Sequence, residues 1–181
     1  MKVRFYGIIA LALAAAFSAH AQAPEIDKLT SQAQQTINVF EQQFPGWATM
    51  FQSSAGYAVF PSVAEGALGV GVMRGKGLLY QTGRAMGEVT LTKASVGAQV
   101  GGQTFSEVVF FQTPEAVRDF KAGNYELKAG VSGVASYDGA VRTVNYNRGV
   151  AVVTFDRTGL IGKAAVGGQK FSYQPLSPAT N

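Results

Sequence analysis

The sequence predicts an α+β fold: a curved, mostly antiparallel β-sheet, open or partly closed into a barrel, with an N-terminal helix packed on it. Three observations carry this. Apolar residues recur at helical spacing between residues 25 and 52, apolar and polar residues alternate from residue 56 onward, and glycines are scattered through the alternating segments. A short helix is expected to interrupt the strands near residue 114.

In chain order, residues 1–21 read as a secretory signal peptide. Lys2 and Arg4 form a positive start, Gly7 to Phe17 is an almost unbroken apolar run, and Ala19-His20-Ala21 frames a cleavage site. Cleavage after Ala21 is preferred to cleavage after Ala23, which would leave Pro24 beside the cut bond. The apolar run is shorter than the roughly 20 residues that span a bilayer. No cysteine follows it, so a lipid-modified N-terminus is not expected. The expected location is periplasmic or extracellular, with peripheral association with the outer membrane left open. Removing residues 1–21 from 181 leaves 160 residues, which suits one domain at 22–174 and a fraying tail at 175–181.

That processing narrows the chemistry. His20 is the chain's single histidine and there is no cysteine, so the processed protein has neither imidazole nor thiol. Ser–His or Cys–His nucleophiles and zinc sites built from nitrogen and sulfur are excluded. Losing Lys2 and Arg4 lowers the net charge from +4 to +2, too little to point to nucleic acid. Neither a metal nor a cofactor is expected, and disulfides cannot form.

Residues 25–52 are predicted helical. Ile26, Leu29, Ala33, Ile37, Phe40 and Phe44 fall on one face, opposite Gln32, Gln34, Gln35, Asn38, Glu41 and Gln42. A membrane-surface helix would carry Lys and Arg on its polar face, and this one offers only Lys28, so packing on a sheet is expected. Pro45-Gly46 breaks the run before a second short turn at Trp47 to Phe51.

From Gly56 the pattern is of strands. Tyr57 to Phe60 is expected to stop at Pro61, followed by Gly66–Met73, Leu78–Thr82, Met86–Thr92, Ser95–Val100 and Phe105–Phe111 as separate strands joined by glycines and basic turns. Thr113-Pro114-Glu115 has the cap, first-turn proline and acid of a helix start, and Val117 and Phe120 give that helix an inner face. Strands resume at Glu126–Ala135, Arg142–Tyr146, Gly149–Phe155 and Leu160–Val166. Val100 to Ser106 matches Val166 to Ser172 at six of seven positions, which marks two similar strand segments and not a repeat. The 22 glycines imply bends, bulges or backbones packed face to face.

No phosphate-cradling loop has the required spacing, since Gly71 to Gly77 lacks the Ser/Thr and the following helix. No D-x-D-x-D-G calcium loop is present. Glu88 and Glu107 would serve hydrolysis only if both faced one cleft, and strand glutamates more often face outward. The protein is therefore expected not to be an enzyme.

Gly56-Tyr57-Ala58-Val59-Phe60-Pro61, followed by Gly66, Gly69, Gly71, Gly75 and Gly77, resembles the opening of the lipid-binding SYLF-domain family. Gly97-Ala98-Gln99-Val100-Gly101, the Phe110 to Phe120 strand–helix, and Gly130 and Gly133 are similar to that family as well. The resemblance covers residues 30–170. It departs at Thr154 to Leu160, which keeps Gly-Leu but lacks the family's Tyr-Ser. Eukaryotic relatives bind phosphoinositides and regulate actin, and bacterial relatives are secreted or envelope-associated. With no SH3 or FYVE companion and a signal peptide, this chain is not expected to regulate actin. The resemblance implies non-catalytic phospholipid binding at the bacterial cell envelope. A small outer-membrane β-barrel or a structural envelope protein is the alternative.

A headgroup needs cations or backbone amides for its phosphate, and apolar groups for the acyl boundary. Met73, Arg74, Lys76, Leu78 and Leu79 combine these around two glycines in an expected turn, with Arg84 and Lys93 on the next turns. These seven residues are the candidate lipid-binding site. Arg142, Arg148 and Arg157 form a second basic set. The expected partner is a phospholipid or an anionic membrane surface.

Overall fold

The computed structural model describes residues 6–122, 125–127, 133–134, 146, 148–156, 159–160 and 168–176. Among these, three helices, one 3₁₀ turn and a seven-stranded sheet form an α+β fold.

Helix α1, Tyr6–Gln43, is longer than the periodic stretch. The Ala- and Leu-rich residues ahead of Pro24 are strong helix formers, so the helix does not begin at 25. Leu29, Ala33, Ile37, Phe40 and Phe44 are buried along the expected stripe, and Ile26 is half-buried. The Pro45–Trp47 turn and α2, Met50–Ser53, follow the break at Pro45-Gly46.

The strands differ from the sequence reading in one large respect. The segments from Gly56 to Gln81 are a single strand, β1, and those from Arg84 to Phe111 are a single strand, β2. They pair antiparallel from Gly56↔Phe111 to Gln81↔Arg84. Pro61 does not end β1, because the register shifts between Phe60 and Val63. A proline at that bulge removes no ladder bond. The hairpin turns at Thr82-Gly83, both left-handed at φ 48° and 73°, as a two-residue loop of this kind requires. The expected basic turn at 73–79 is absent: Arg74, Gly75 and Lys76 pair with Thr92, Leu91 and Thr90 inside the ladder.

Such a long hairpin serves two half-sheets. The first half of β2 pairs with β7, Gln169–Pro175, through Gly87↔Pro175 to Thr92↔Lys170. Its second half pairs with β5, Val150–Asp156, through Ser106↔Phe155 to Phe111↔Val150. Strand β3, Tyr125–Leu127, lies beside β7, while β4, Gly133–Val134, and β6, Gly159–Leu160, lie beside β5. The β4–β5 pair is parallel and the others are antiparallel. Among the described residues the strand order ends at β3 and β4 without joining them, so these strands do not close into a barrel.

Between the half-sheets, β1 crosses itself. A Cβ on Gly77 would lie 2.4 Å from the Val59 carbonyl oxygen and 2.7 Å from the Phe60 ring. Backbone therefore packs on backbone there, which only glycine permits. Helix α3, Pro114–Lys121, covers the inner core, and Thr113 Oγ1 accepts from the Ala116 N–H at 3.3 Å as its cap.

Alternation then sorts the side chains. Ala58, Phe60, Leu79, Val89, Leu91, Val109, Phe111, Val150 and Val152 point into the inner core. Tyr57, Val59, Leu78, Tyr80, Val108, Phe110, Ala151 and Val153 point outward beneath α1. The strands expected at 126–135, 142–146 and 160–166 fall largely outside the described residues, as do residues 177–181 of the tail.

Candidate functional site

The seven candidate residues do not form one site. Met73 and Leu79 are buried in the inner core, and Leu78 is buried beneath α1. None of the three can press toward an acyl boundary, because successive strand side chains take opposite faces: the inner core covers Met73 and Leu79, and the cluster beneath α1 covers Leu78. Lys93 is the register partner of Met73 and shares its inward side, half-buried. Arg84 is exposed at the hairpin tip, paired with Gln81. Only Arg74 and Lys76 stay together, both exposed on the outward face of β1.

That face adds a residue which sequence reasoning missed. Val72 alternates with Arg74 and Lys76 and is 45% exposed. The three form a row, one apolar and two cationic, with neighbours about 7 Å apart at the rise of a strand. Period-two spacing would have found Val72 had the segment been read as a strand.

Lys76 is also committed to ion pairs. Its Nζ lies 2.8 Å from Glu25 Oε1 on α1 and 3.3 Å from Glu88 Oε1 on β2. The hydrogen bond from Lys76 and its charge hold the Glu25 carboxyl below the usual range, and the same bond holds the ammonium of Lys76 above its own. Beside the pair, α1 and β1 leave a hollow of about 230 Å³ lined by Lys28, Gln32, Pro61 and Ser62. It adjoins a second hollow of about 380 Å³ reaching Val39 and Asp156.

Of the strand glutamates, Glu88 and Glu107 lie on opposite faces and share no cleft. Glu88 sits outward at Lys76, whereas Glu107 is fully buried on the inward face. Gln169 Nε2 donates to Glu107 Oε2 at 2.9 Å. Burial pushes the Glu107 carboxyl up to about 7, against the opposing hydrogen bond from Gln169 and the charge of Lys93. Among the described residues, no group of three or more His, Cys, Asp or Glu could hold a metal ion. No helix among them is long and apolar enough to cross a membrane. Of the second basic set, Arg148 is exposed with φ 51°, while Arg142 and Arg157 lie outside the described residues.

No family model matches the chain. It is similar to a curated protein named Beta cell expansion factor A, from Aeromonas veronii, at 29% identity over 138 residues. The match covers 75% of this chain and 51% of that protein, so the chain spans about half the length of the curated relative it matches.

Proposed function

We propose that this protein binds anionic phospholipid surfaces at the bacterial cell envelope without catalysis, after removal of residues 1–21. The resemblance to the SYLF-domain family motivates the reading. The observation that supports it best is the outward row Val72, Arg74 and Lys76, an exposed apolar group in line with two cations. This row takes the place of the seven-residue turn, since Met73, Leu78 and Leu79 are buried. Lys76 already faces two carboxylates, so Arg74 is the stronger phosphate contact of the two.

Processing fits the helix. In a chain beginning at Gln22, Pro24 lies at the start of α1, where its missing N–H has no partner to lose. Glu25 then sits at the positive end of the helix dipole. Intact-mass measurement of the exported protein should show Gln22 as the first residue, and a product retaining Met1 to Ala21 would overturn this.

Co-sedimentation with vesicles containing phosphatidylglycerol tests the lipid reading. Arg74→Gln should weaken binding by about 1 kcal/mol, with a smaller loss for Lys76→Gln. Binding by the unaltered protein should fall as salt rises. Unchanged binding by the double variant would refute the assignment of this row. The alternative of an outer-membrane barrel draws no support from the described strands, which do not close and carry an apolar inner face and a helix across the outer one.

A further inference from the structure

One pair of side chains interrupts the apolar interior. Glu107 on β2 and Gln169 on β7 are both fully buried. Gln169 Nε2 donates to Glu107 Oε2 at 2.9 Å and lies 3.7 Å from Met73 Sδ on β1. The other oxygen of each, Glu107 Oε1 and Gln169 Oε1, is buried without a hydrogen-bond partner. With an ionised carboxylate, both bare atoms can only accept, and a buried charge stands beside them. A single proton on Glu107 removes the charge and puts a donor where there were two acceptors.

The position of the pair gives this consequence. Through its backbone, β7 pairs with the first half of β2 and with β3. Glu107 belongs to the second half of β2, opposite Phe60 of β1 and Thr154 of β5. The pair therefore ties together two half-sheets whose backbones are joined through the long hairpin. The geometry points to a proton-operated latch: Glu107 is held protonated in the native fold, and its pairing with Gln169 keeps β7 on the hairpin until the carboxyl ionises.

The surroundings favour the neutral form. Among the described residues of the inner core, β1 presents Met73, β5 presents Val150 and Val152, and α3 presents Val117 and Phe120, none of which titrates. Lys93 on β2 is the cation felt by Glu107, and its charge favours ionisation, but burial outweighs it. The folded-state value is thus raised, so the native fold holds the proton more tightly than the unfolded chain. The associated stability is full below about 4.5, the ordinary value, and is lost as pH rises towards about 7. This sign is opposite to that of a salt-bridged carboxylate, and it does not depend on the lipid reading.

Denaturant unfolding of the whole protein between pH 4.5 and 8.5 tests the latch. The unfolding equilibrium constant should rise by on the order of 100-fold across that range, and level off above it. Hydrogen exchange, corrected for intrinsic rate, should show residues 169–175 losing protection relative to residues 29–43 of α1. Glu107→Gln places an uncharged amide donor there at every pH and should flatten both profiles. His20, the chain's single histidine, is unchanged in that comparison. Should the variant fail to fold, a carbon-13 titration of the Glu107 carboxyl in the unaltered protein decides the matter. A midpoint near 4.5, stability that is flat or rising with pH, or an identical slope in Glu107→Gln would overturn the latch.

Discussion

The outer and inner faces of this sheet are packed on different terms. On the outer face a separate element delivers the filling. The Phe40 ring of α1 meets Phe44, Phe51, Phe110 and Phe155 with centroids 5.2 to 5.9 Å apart. On the inner face the chain fills space with its own backbone, where β1 crosses itself at Gly75 and Gly77. The inner side chains then close over what is left, with Phe171 5.7 Å from Phe60 and 5.4 Å from Phe120. An outer face built this way is sensitive to removal of volume. An inner face limited by backbone contact is sensitive to its addition.

The largest effect should come from removing volume outside. Phe40→Ala should destabilise the fold by about 3–5 kcal/mol in denaturant unfolding, the usual range for a buried phenylalanine. A loss below about 1 kcal/mol, no more than a modest substitution produces, would mean that α1 is not integral to the outer core. Addition inside comes next. Gly77→Ala should cost about 1–3 kcal/mol, because its methyl meets a backbone carbonyl that cannot turn aside. The matched control is Gly66→Ala, where a Cβ meets nothing within 4 Å, and it should stay within about 0.5 kcal/mol. Equal melting temperatures for these two variants would contradict the crossing of β1.

Smaller effects probe what borders the two faces. Thr113→Ala removes the oxygen that accepts from Ala116 and should cost about 1 kcal/mol, read from the same unfolding curves. The least is expected of Lys76→Gln, since exposed ion pairs contribute little and are screened by salt. Its signature should be faster hydrogen exchange near residues 25–29 with a nearly unchanged melting curve.

The helical parts were the most legible. The α1 stripe repeats every three or four residues, so six side chains announce one face without any partner being known. Thr113-Pro114-Glu115 is similarly self-contained, because a cap depends on atoms three residues away. The glycines pointed to backbones packed face to face, and Gly75 and Gly77 are where that occurs. The repeated Gly-Gly-Gln-x-Phe-Ser segments place Phe105 and Phe171 alike, both buried in the inner core, one in β2 and one in β7. The segment expected as a turn at 73–79 is a strand, and the difference has a single reason. Glycine and lysine favour turns and also tolerate strands, so Met73 to Leu79 looked like a turn presenting all its side chains to one surface. Once the segment pairs with β2, alternation sends Met73 and Leu79 one way and Arg74 and Lys76 the other.

Local chemistry in the chain was thus enough to establish the α+β class, the packed helix near residue 40 and the capped helix at 114. Each rests on periodicity or on residue type, which act over a few neighbours. The continuity of β1 through Pro61, its crossing at Gly77 and the burial of Glu107 against Gln169 were settled by long-range assembly. Glu107 and Gln169 are 62 residues apart. Neighbouring residues alone do not reveal that a glutamate in one strand will be desolvated by another strand that far along the chain. Burial is a property of what surrounds a residue, and only the folded arrangement supplies it.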